Sequence, residues 1–549
     1  MDRQTPEKEF NLLDEPWIIV KTKSNETKTW SILETFAHAN EAQSLAGELP
    51  TQDIAVMRLL LAIMYGAFVH ENVQDINSAI ELWHELWDLK EFPYDIIETY
   101  LEPYRDRFWL FHPTEPFYQS VHIKENMDAY KAAKGKKVDD EIKWKTVARL
   151  VGDLFQSDNK PRLFPGRTGE AQISITYAEA TRWLLHLNGF DDDSAKMPTP
   201  QGVGYLGQLG LIYAKGHNLF ETLMLNFVLA DQHNEIFADC EEKSAYWEKP
   251  VCEKIEREIP QPRAQKDLLT MQSRRILLHR EHGRVTGYLL TMGDYFVKDA
   301  SLLNETMTTW KNDDKKGIVP KKHQLDCQIW RDFTSLLGTS EGSAKEQAYQ
   351  PGVIHWLQLL RQEIQDIARI KIVATGAFYR LKGAGWQIVD YIHDDLTINA
   401  SLLDKMNDNW VQAIIDRLAM IKQAVSSFGE FALCLAEAAG YDEKTGKKDI
   451  DKFSQENAYH YLDQTFRKWL LSIHPDKDII EDKMDEWLRL SEKILLSLGA
   501  EMLRQCPDQA IIGRKIKNKK DGNDVKDINA IKAYQRFQFQ IHHILRGDE

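Results

Sequence analysis

The chain has 549 residues and a formal net charge of −15, from 69 Lys and Arg set against 84 Asp and Glu. Hydrophobic residues make up 43% and charged residues 28%, which supports sizeable buried cores and excludes global disorder. The acidic balance excludes a protein coated all over with base, so any nucleic-acid contact must be a local patch or loop.

The opening stretch FNLLDEPWIIV, residues 10–20, holds Val and Ile around Pro16 and reads as an edge strand. Residues 51–69 predict a strong helix: Ile54, Met57, Leu61, Met64 and Phe68 recur at three and four, with Thr51 as its cap and Asp53 in the first turn. A second helix follows over about 76–90. FWLFHPTEPFYQ, residues 108–119, crowds aromatics with prolines and reads as irregular packed chain, and KAAKGKK, residues 131–137, as a basic turn. Residues 155–170 form a Gly/Pro-rich loop with basic residues ahead of a helix over 176–188, and a second Gly/Pro-rich stretch, MPTPQGVGYLGQLG, spans 197–210. RRILLHREHGRVTGYLLTMGDYFV alternates around His282-Gly283 and predicts a hairpin. From about 398 the pattern is helical. Leu403, Met406, Trp410, Ile414, Leu418, Ile421, Val425 and Phe428 make one stripe, and further helices are predicted at about 456–472, 479–505 and 525–546. The fold class is therefore α+β: a large mixed domain over 1–395, then an all-α four-helix bundle over 396–549.

Five cysteines (Cys240, Cys252, Cys327, Cys434 and Cys506) include no CxxC knuckle and read as reduced thiols, with no metal expected. The N-terminus MDRQTPEKEF is charged and lacks an apolar signal core, and no stretch approaches the roughly 18 apolar residues of a membrane span, so a cytoplasmic location is expected.

No catalytic constellation emerges. GYDEKTGKK, residues 440–448, has the wrong spacer for a phosphate loop, with Lys448 where a Ser or Thr is needed. His393-Asp394-Asp395 lacks the partners of a metal phosphohydrolase and reads as a capping and turn segment. Asp191-Asp192-Asp193 reads as a solvated acidic loop. His542 and His543 are about 100° apart on a helix and cannot chelate together.

Other features suit nucleic acid. In the 155–170 loop, Lys160, Arg162 and Arg167 are candidates for phosphates, Asn159 for a base edge or sugar, and Phe164, beside Leu163, for a wedge; a plain connector is the alternative. Gly202, Gly204, Gly207 and Gly210 permit close backbone approach or make tight turns. FYRLKGAGWQI, residues 378–388, offers a Gly-flanked tip. RKIKNKK, residues 514–520, is the densest basic run, and 511–549 holds nine Lys/Arg against five Asp/Glu. Lys266, Arg274 and Arg275 form a smaller basic cluster.

FNLLDEPWI, TWSILETFAHA, LAGELPTQDIAVMRLLLAI and FHPTEPFYQ, followed in order by YLGQLGLIYAKGHNLFETLMLN, DLLTMQSRRILL and IWRDFTSLL, resemble the CasA family over about 10–546. This family is the large subunit of the type I-E CRISPR interference complex, Cascade. The resemblance implies a non-enzymatic subunit without cofactor. It would read the protospacer-adjacent motif of double-stranded DNA from the minor groove, help to open the duplex and help to recruit the helicase-nuclease. Its implied partners are the other Cascade subunits, the guide RNA 5′ handle and the target DNA. A mobile family loop is similar to 158–168, which makes Asn159, Lys160, Arg162, Leu163 and Phe164 its candidates. The family's glycine loop looks like 202–210, with Gly202 and Gly204 the best matches. Its strand-separating hairpin tip corresponds to about 381–387, where Lys382, Gly383, Gly385 and Gln387 are candidates. Some relatives carry paired cysteines for zinc, and this chain lacks them. Two rival readings are a metal-dependent nuclease or phosphohydrolase built on His393 and Asp394, and a pure scaffold subunit.

Overall fold

The computed structural model describes residues 8–138, 142–152, 167–192, 202–237, 243–251, 257–259, 264–296, 304–313, 315, 317–338, 350–382, 385–441, 447–517 and 525–547. They form a mixed α+β structure that divides into two compact units. One comprises Met1–Leu325, Ser340–Glu363 and Lys371–Asp395, and the other Asp326–Thr339, Ile364–Ile370 and Leu396–Glu549. Two short segments ahead of residue 396 thus belong with the C-terminal helices.

The first unit is organised on the helix Pro50–Phe68, which is buried at nearly every position from Thr51 onward. Apolar residues run all round it rather than along one stripe, as a helix enclosed on every side requires. The helices Tyr94–Leu101, Tyr177–Phe190, Leu219–Leu225 and Gln265–Leu269 pack against it. This helix and Lys405–Ala439 are long and apolar enough to cross a membrane, yet 89% and 50% of their apolar windows are buried inside the protein. Thr51 is not the cap. Leu49 stands there without a side-chain bond, Pro50 opens the helix, and Thr51 is buried with its Oγ1 3.1 Å from His186 Nε2. Proline at the first helical position sacrifices only an amide that has no partner in the helix anyway.

Asp53 accepts a hydrogen bond from the Gly47 amide at 2.7 Å. Burial nevertheless raises its carboxyl from 3.8 to about 7, because loss of solvent outweighs that bond and the nearby Lys215. The folded value lies above the unfolded one. This contribution to stability is therefore complete below about pH 3.8 and is lost as pH rises through about 7. Asp53→Asn, of the same shape and neutral throughout, is expected to flatten that decline and to unfold at a higher temperature than wild type above pH 7. A pH series of thermal melts checks this, and an unchanged slope would refute it.

The opening residues form two strands, Glu9–Asn11 and Ile18–Thr22, with Pro16 between them. Ile18–Thr22 is not an edge: it lies between Thr27–Trp30 and Ala42–Leu45, paired antiparallel to both. The proline is accommodated because it stands outside the ladder. The 108–119 stretch contributes one strand, Trp109–Phe111, paired with Glu9–Asn11. Phe108, Phe117 and Tyr118 are buried beside Tyr246 and Trp247. The hairpin around His282-Gly283 forms as the alternation predicts, from Arg274–Glu281 and Arg284–Met292. Its two turn residues have φ of 51° and 73°, the left-handed pair that suits a two-residue hairpin turn.

A three-stranded sheet places Arg369–Lys382 between Leu211–Lys215 and Gly385–Asn399. His393-Asp394-Asp395 is therefore strand rather than a capping turn. Along that strand Ile388, Ile392, Leu396 and Ile398 are buried at even spacing, and this period-2 signal outranks the turn-forming tendency of the two aspartates.

In the second unit the helix Asp408–Ala439 packs against Lys447–Leu471, Ile480–Gln505 and Ala530–Arg546. Phe428 and Phe431 meet Phe537, and Phe466 meets Trp469 and Trp487. The last helix begins later than its pattern predicts. Asn529 caps it by accepting from the Lys532 amide, and Val525–Ile528 is instead a strand paired with Arg514–Lys517. The segment Ile329–Leu337 joins this unit because Trp330 stacks on Phe466 and donates to Asp463 at 2.8 Å. Its neighbour Arg331 pairs with Glu456 and lies 3.7 Å above the Tyr459 ring.

Candidate nucleic-acid interface

The helix Tyr177–Phe190 frames the region in the first unit. Thr176 and Glu179 cap it reciprocally, and it ends at Asp191, whose amide bonds the Leu187 carbonyl. Arg167, expected to meet phosphate, instead donates to Glu179 at 2.8 Å. Gly152 sits against Trp183, His186 and Tyr391. Asn159, Lys160, Arg162, Leu163 and Phe164 lie outside the described residues.

The glycine segment packs back onto the end of this helix. Gly204 donates to the Asp191 carbonyl at 2.8 Å, and a Cβ at Gly204 would stand 2.4 Å from the Gly189 carbonyl oxygen. Gly202 has open space around its α-carbon but a φ of 102°. The two glycines thus serve different needs, close backbone packing at 204 and a left-handed backbone at 202. Gly204→Ala is expected to cost about 1–3 kcal/mol, because the new methyl meets backbone that cannot rotate away. Thermal melts of the two proteins measure it, and equal midpoints would sink the packing argument.

The long hairpin meets the same segment. Tyr379 Oη donates to the Phe190 carbonyl at 2.7 Å, and Tyr379, Ile388 and Val203 form a buried cluster with Ala377 and Tyr391 at its margin. Lys322 Nζ donates to the Gly207 carbonyl at 3.0 Å and lies over the Tyr379 ring. Two of the three stretches singled out in the sequence are therefore brought together.

The strands Arg369–Lys382 and Gly385–Asn399 are joined through residues 383 and 384, so Gly383 lies outside the described residues. The two strands are neighbours in one sheet, and Tyr379 and Ile388 come together in the buried cluster. The Thr375 hydroxyl donates to the Ile392 carbonyl at 3.2 Å, from one strand to the other. Opposed residues share a face, and that face repeats every second residue. The face buried at Tyr379 and Ile388 therefore continues outward to Leu381 and Trp386, which are 56% and 47% exposed. Gln387 falls on the other face with Arg380 and is half-buried. The sequence points to the glycines and to Trp386 and Gln387 together, with the weight on the polar residue, and it gives Leu381 no separate role. The alternation of Tyr379 and Leu381 is the trace that joins Leu381 to Trp386.

The small basic cluster of Lys266, Arg274 and Arg275, the last two of which open a strand, is internal. Lys266 pairs with Glu248, Arg274 with Asp191 and Arg275 with Asp294, all nearly inaccessible. Asp191 is accordingly buried rather than part of a solvated loop. A guanidinium held inside against a carboxylate cannot reach phosphate. The ribbon Arg514–Lys517 leaves Arg514 and Lys515 exposed in the second unit. Among the described residues no group of three or more His, Cys, Asp or Glu is placed to hold a metal ion. Asp395, adjacent to the suspected His393-Asp394 pair, lies 3.2 Å from Lys371.

Comparison with known proteins covers nearly the whole chain. A sequence model of the CRISPR-associated protein Cse1 family matches residues 11–498. CasA/Cse1 of Thermus thermophilus is 28% identical over 344 residues, 61% of each protein, so the chain spans less than two thirds of that relative's length. The crystal structure of Thermobifida fusca Cse1 superposes with a TM-score of 0.79 at 26% identity, covering 98% of this chain and 99% of that one. A chain of a CRISPR RNA-guided surveillance complex shares the fold at TM-score 0.68 and 15% identity, over 97% and 99%. With the family's sequence pattern running through both the glycine segment and the long hairpin, and a crystallised member matching from end to end, the chain belongs to the Cse1 (CasA) family of CRISPR-associated proteins.

Proposed function

We propose that this chain is the large, non-catalytic subunit of a cytoplasmic Cascade-type complex, in which it tests the protospacer-adjacent motif of duplex DNA. The observation that carries the reading is the junction of the glycine segment with the root of the long hairpin at Val203, Tyr379 and Ile388. One arm of that junction offers backbone for close approach to a groove, and the other ends in an exposed apolar pair. The minor groove carries a degenerate hydrogen-bond code, so shape and close backbone approach suit it better than a side-chain alphabet. Unstacking a base step beside the motif is work for the apolar tip, and guide pairing then supplies the remaining specificity.

In this reading Asn159, Lys160 and Arg162 meet the guide RNA 5′ handle and the motif, with Leu163 and Phe164 beside them. Gly202 lines the groove, and Gly204, packed on the end of the helix, holds that backbone in place. Lys382, Gly383, Gly385 and Gln387 flank the tip. The C-terminal helices act as a four-helix bundle that docks the other Cascade subunits, and the assembled surface helps to recruit the helicase-nuclease. The family match and the likeness to a surveillance-complex chain support these partners.

The test is a binding titration of the assembled complex with guide RNA on a duplex library randomised beside the target, repeated at several salt concentrations. The reading expects one short motif to be enriched, together with a salt slope that reports phosphate contacts. Equal binding to all library members would leave a scaffold role and refute motif recognition.

A further inference from the structure

Arg274 holds an unusual position for a buried cation. Its side chain is 2% exposed, and its Nε pairs with the Asp191 carboxylate at the end of the helix Tyr177–Phe190. Its Nη2 donates to the Gly202 carbonyl at 2.8 Å and to the Asp192 carbonyl at 3.4 Å, while Nη1 donates to the Ser273 carbonyl at 2.8 Å. One guanidinium therefore spans from the end of the helix to the first described glycine of the segment. A parallel backbone bond, from the Gly204 amide to the Asp191 carbonyl, lies on the same junction. Just ahead of the strand of Arg274, the Ser273 hydroxyl accepts from the Tyr205 amide at 3.2 Å and donates to the Asn188 carbonyl. A flat, five-donor fork can bond a carboxylate and three carbonyls at once, and an ammonium with three donors on a flexible stem cannot.

We propose that Arg274 is a positioning residue: its fork fixes Gly202 and Gly204 against the end of the helix, so that the glycine backbone is pre-set for its ligand. The proposal rests on the recognition reading above for the ligand, a DNA groove, but not for the fork itself. Pre-set geometry matters here because a loose glycine segment would have to be ordered at every binding event, at the expense of affinity.

Arg275 supplies a matched control. It is the next residue in the same strand and is 3% exposed. Its Nη1 donates to the Gln272 carbonyl at 3.0 Å and its Nη2 pairs with the Asp294 carboxylate, groups that lie outside the glycine segment. A general loss of stability from disturbing a buried arginine would appear in both positions, and a positioning role in one.

The experiment compares wild type, Arg274→Lys and Arg275→Lys, each assembled with its partner subunits and guide RNA. Amide hydrogen exchange is read over residues 188–206, and binding is read on duplexes with and without the enriched motif. The proposal expects faster exchange at the Gly204 amide in Arg274→Lys alone. It also expects the ratio of motif to non-motif binding to fall about tenfold in that variant, the scale of one lost charge-assisted hydrogen bond. Equal exchange in the two variants would overturn the fork. Faster exchange with an undiminished binding ratio would overturn its service to the site. If wild type itself does not discriminate, the recognition reading fails while the exchange comparison still decides the fork. Should Arg274→Lys not assemble, Asp191→Asn tests the same junction from the carboxylate side.

Discussion

Arg58→Ala is expected to destabilise the first unit by about 3–5 kcal/mol, the scale of removing one partner from a buried ion pair. The guanidinium projects from the core helix and meets Glu305 in a two-pronged bond, 2.9 Å at each prong, with side-chain exposures of 2% and 1%. Burial alone would depress the guanidinium, yet the Glu305 charge more than offsets this and Arg58 is raised. Glu305 also accepts from Tyr205 Oη at 2.9 Å and from the Met307 amide at 3.1 Å, so an unpaired carboxylate there would disturb the chain just beyond Gly204. Removing both charges, as Arg58→Met with Glu305→Gln, is expected to be milder than Arg58→Ala, because no orphaned charge is left inside. Denaturant unfolding of the three proteins measures this. A single variant that melts like wild type would show that solvent reaches the pair.

Trp386→Ala is expected to reduce opening of the duplex beside the motif by roughly tenfold to a hundredfold, from the ~1–3 kcal/mol that an aromatic stack on a base contributes. Trp386 and Leu381 end the only hairpin face that passes from buried to exposed apolar residues among the described hairpin positions. An exposed tryptophan at a ribbon end is costly in water, and insertion at an unstacked base step relieves that cost. The assembled complex is loaded with a duplex carrying a fluorescent base analogue next to the motif, and the opened fraction is read directly. Gln387→Ala, on the opposite face, is expected to change the opened fraction by less than Trp386→Ala. The reverse order would return the wedge to the glutamine.

The comparison of Trp386 with Gln387 shows how far a linear reading reaches. FYRLKGAGWQI carries the break between two strands, which ends one at Lys382 and opens the next at Gly385, because turn formers and strand formers act over a few residues. Which side chain the tip exposes depends on register and on what covers each face. Tyr379 and Ile388 decide this by packing on Val203, a residue far away in the chain.

The same division holds elsewhere. The helix near residue 51, the hairpin at His282-Gly283 and the glycine segment were legible because periodicity, turn chemistry and composition are local properties. Family membership was legible too, since it needs only the order of short motifs. The interior fate of Arg58 and Arg274 was not. Their partners are 247 and 83 residues distant, and a basic residue bound for an interior carboxylate looks, along the chain, the same as one bound for phosphate. Electrostatic pairing is settled by distance in space and by exclusion of water, and folding alone supplies both.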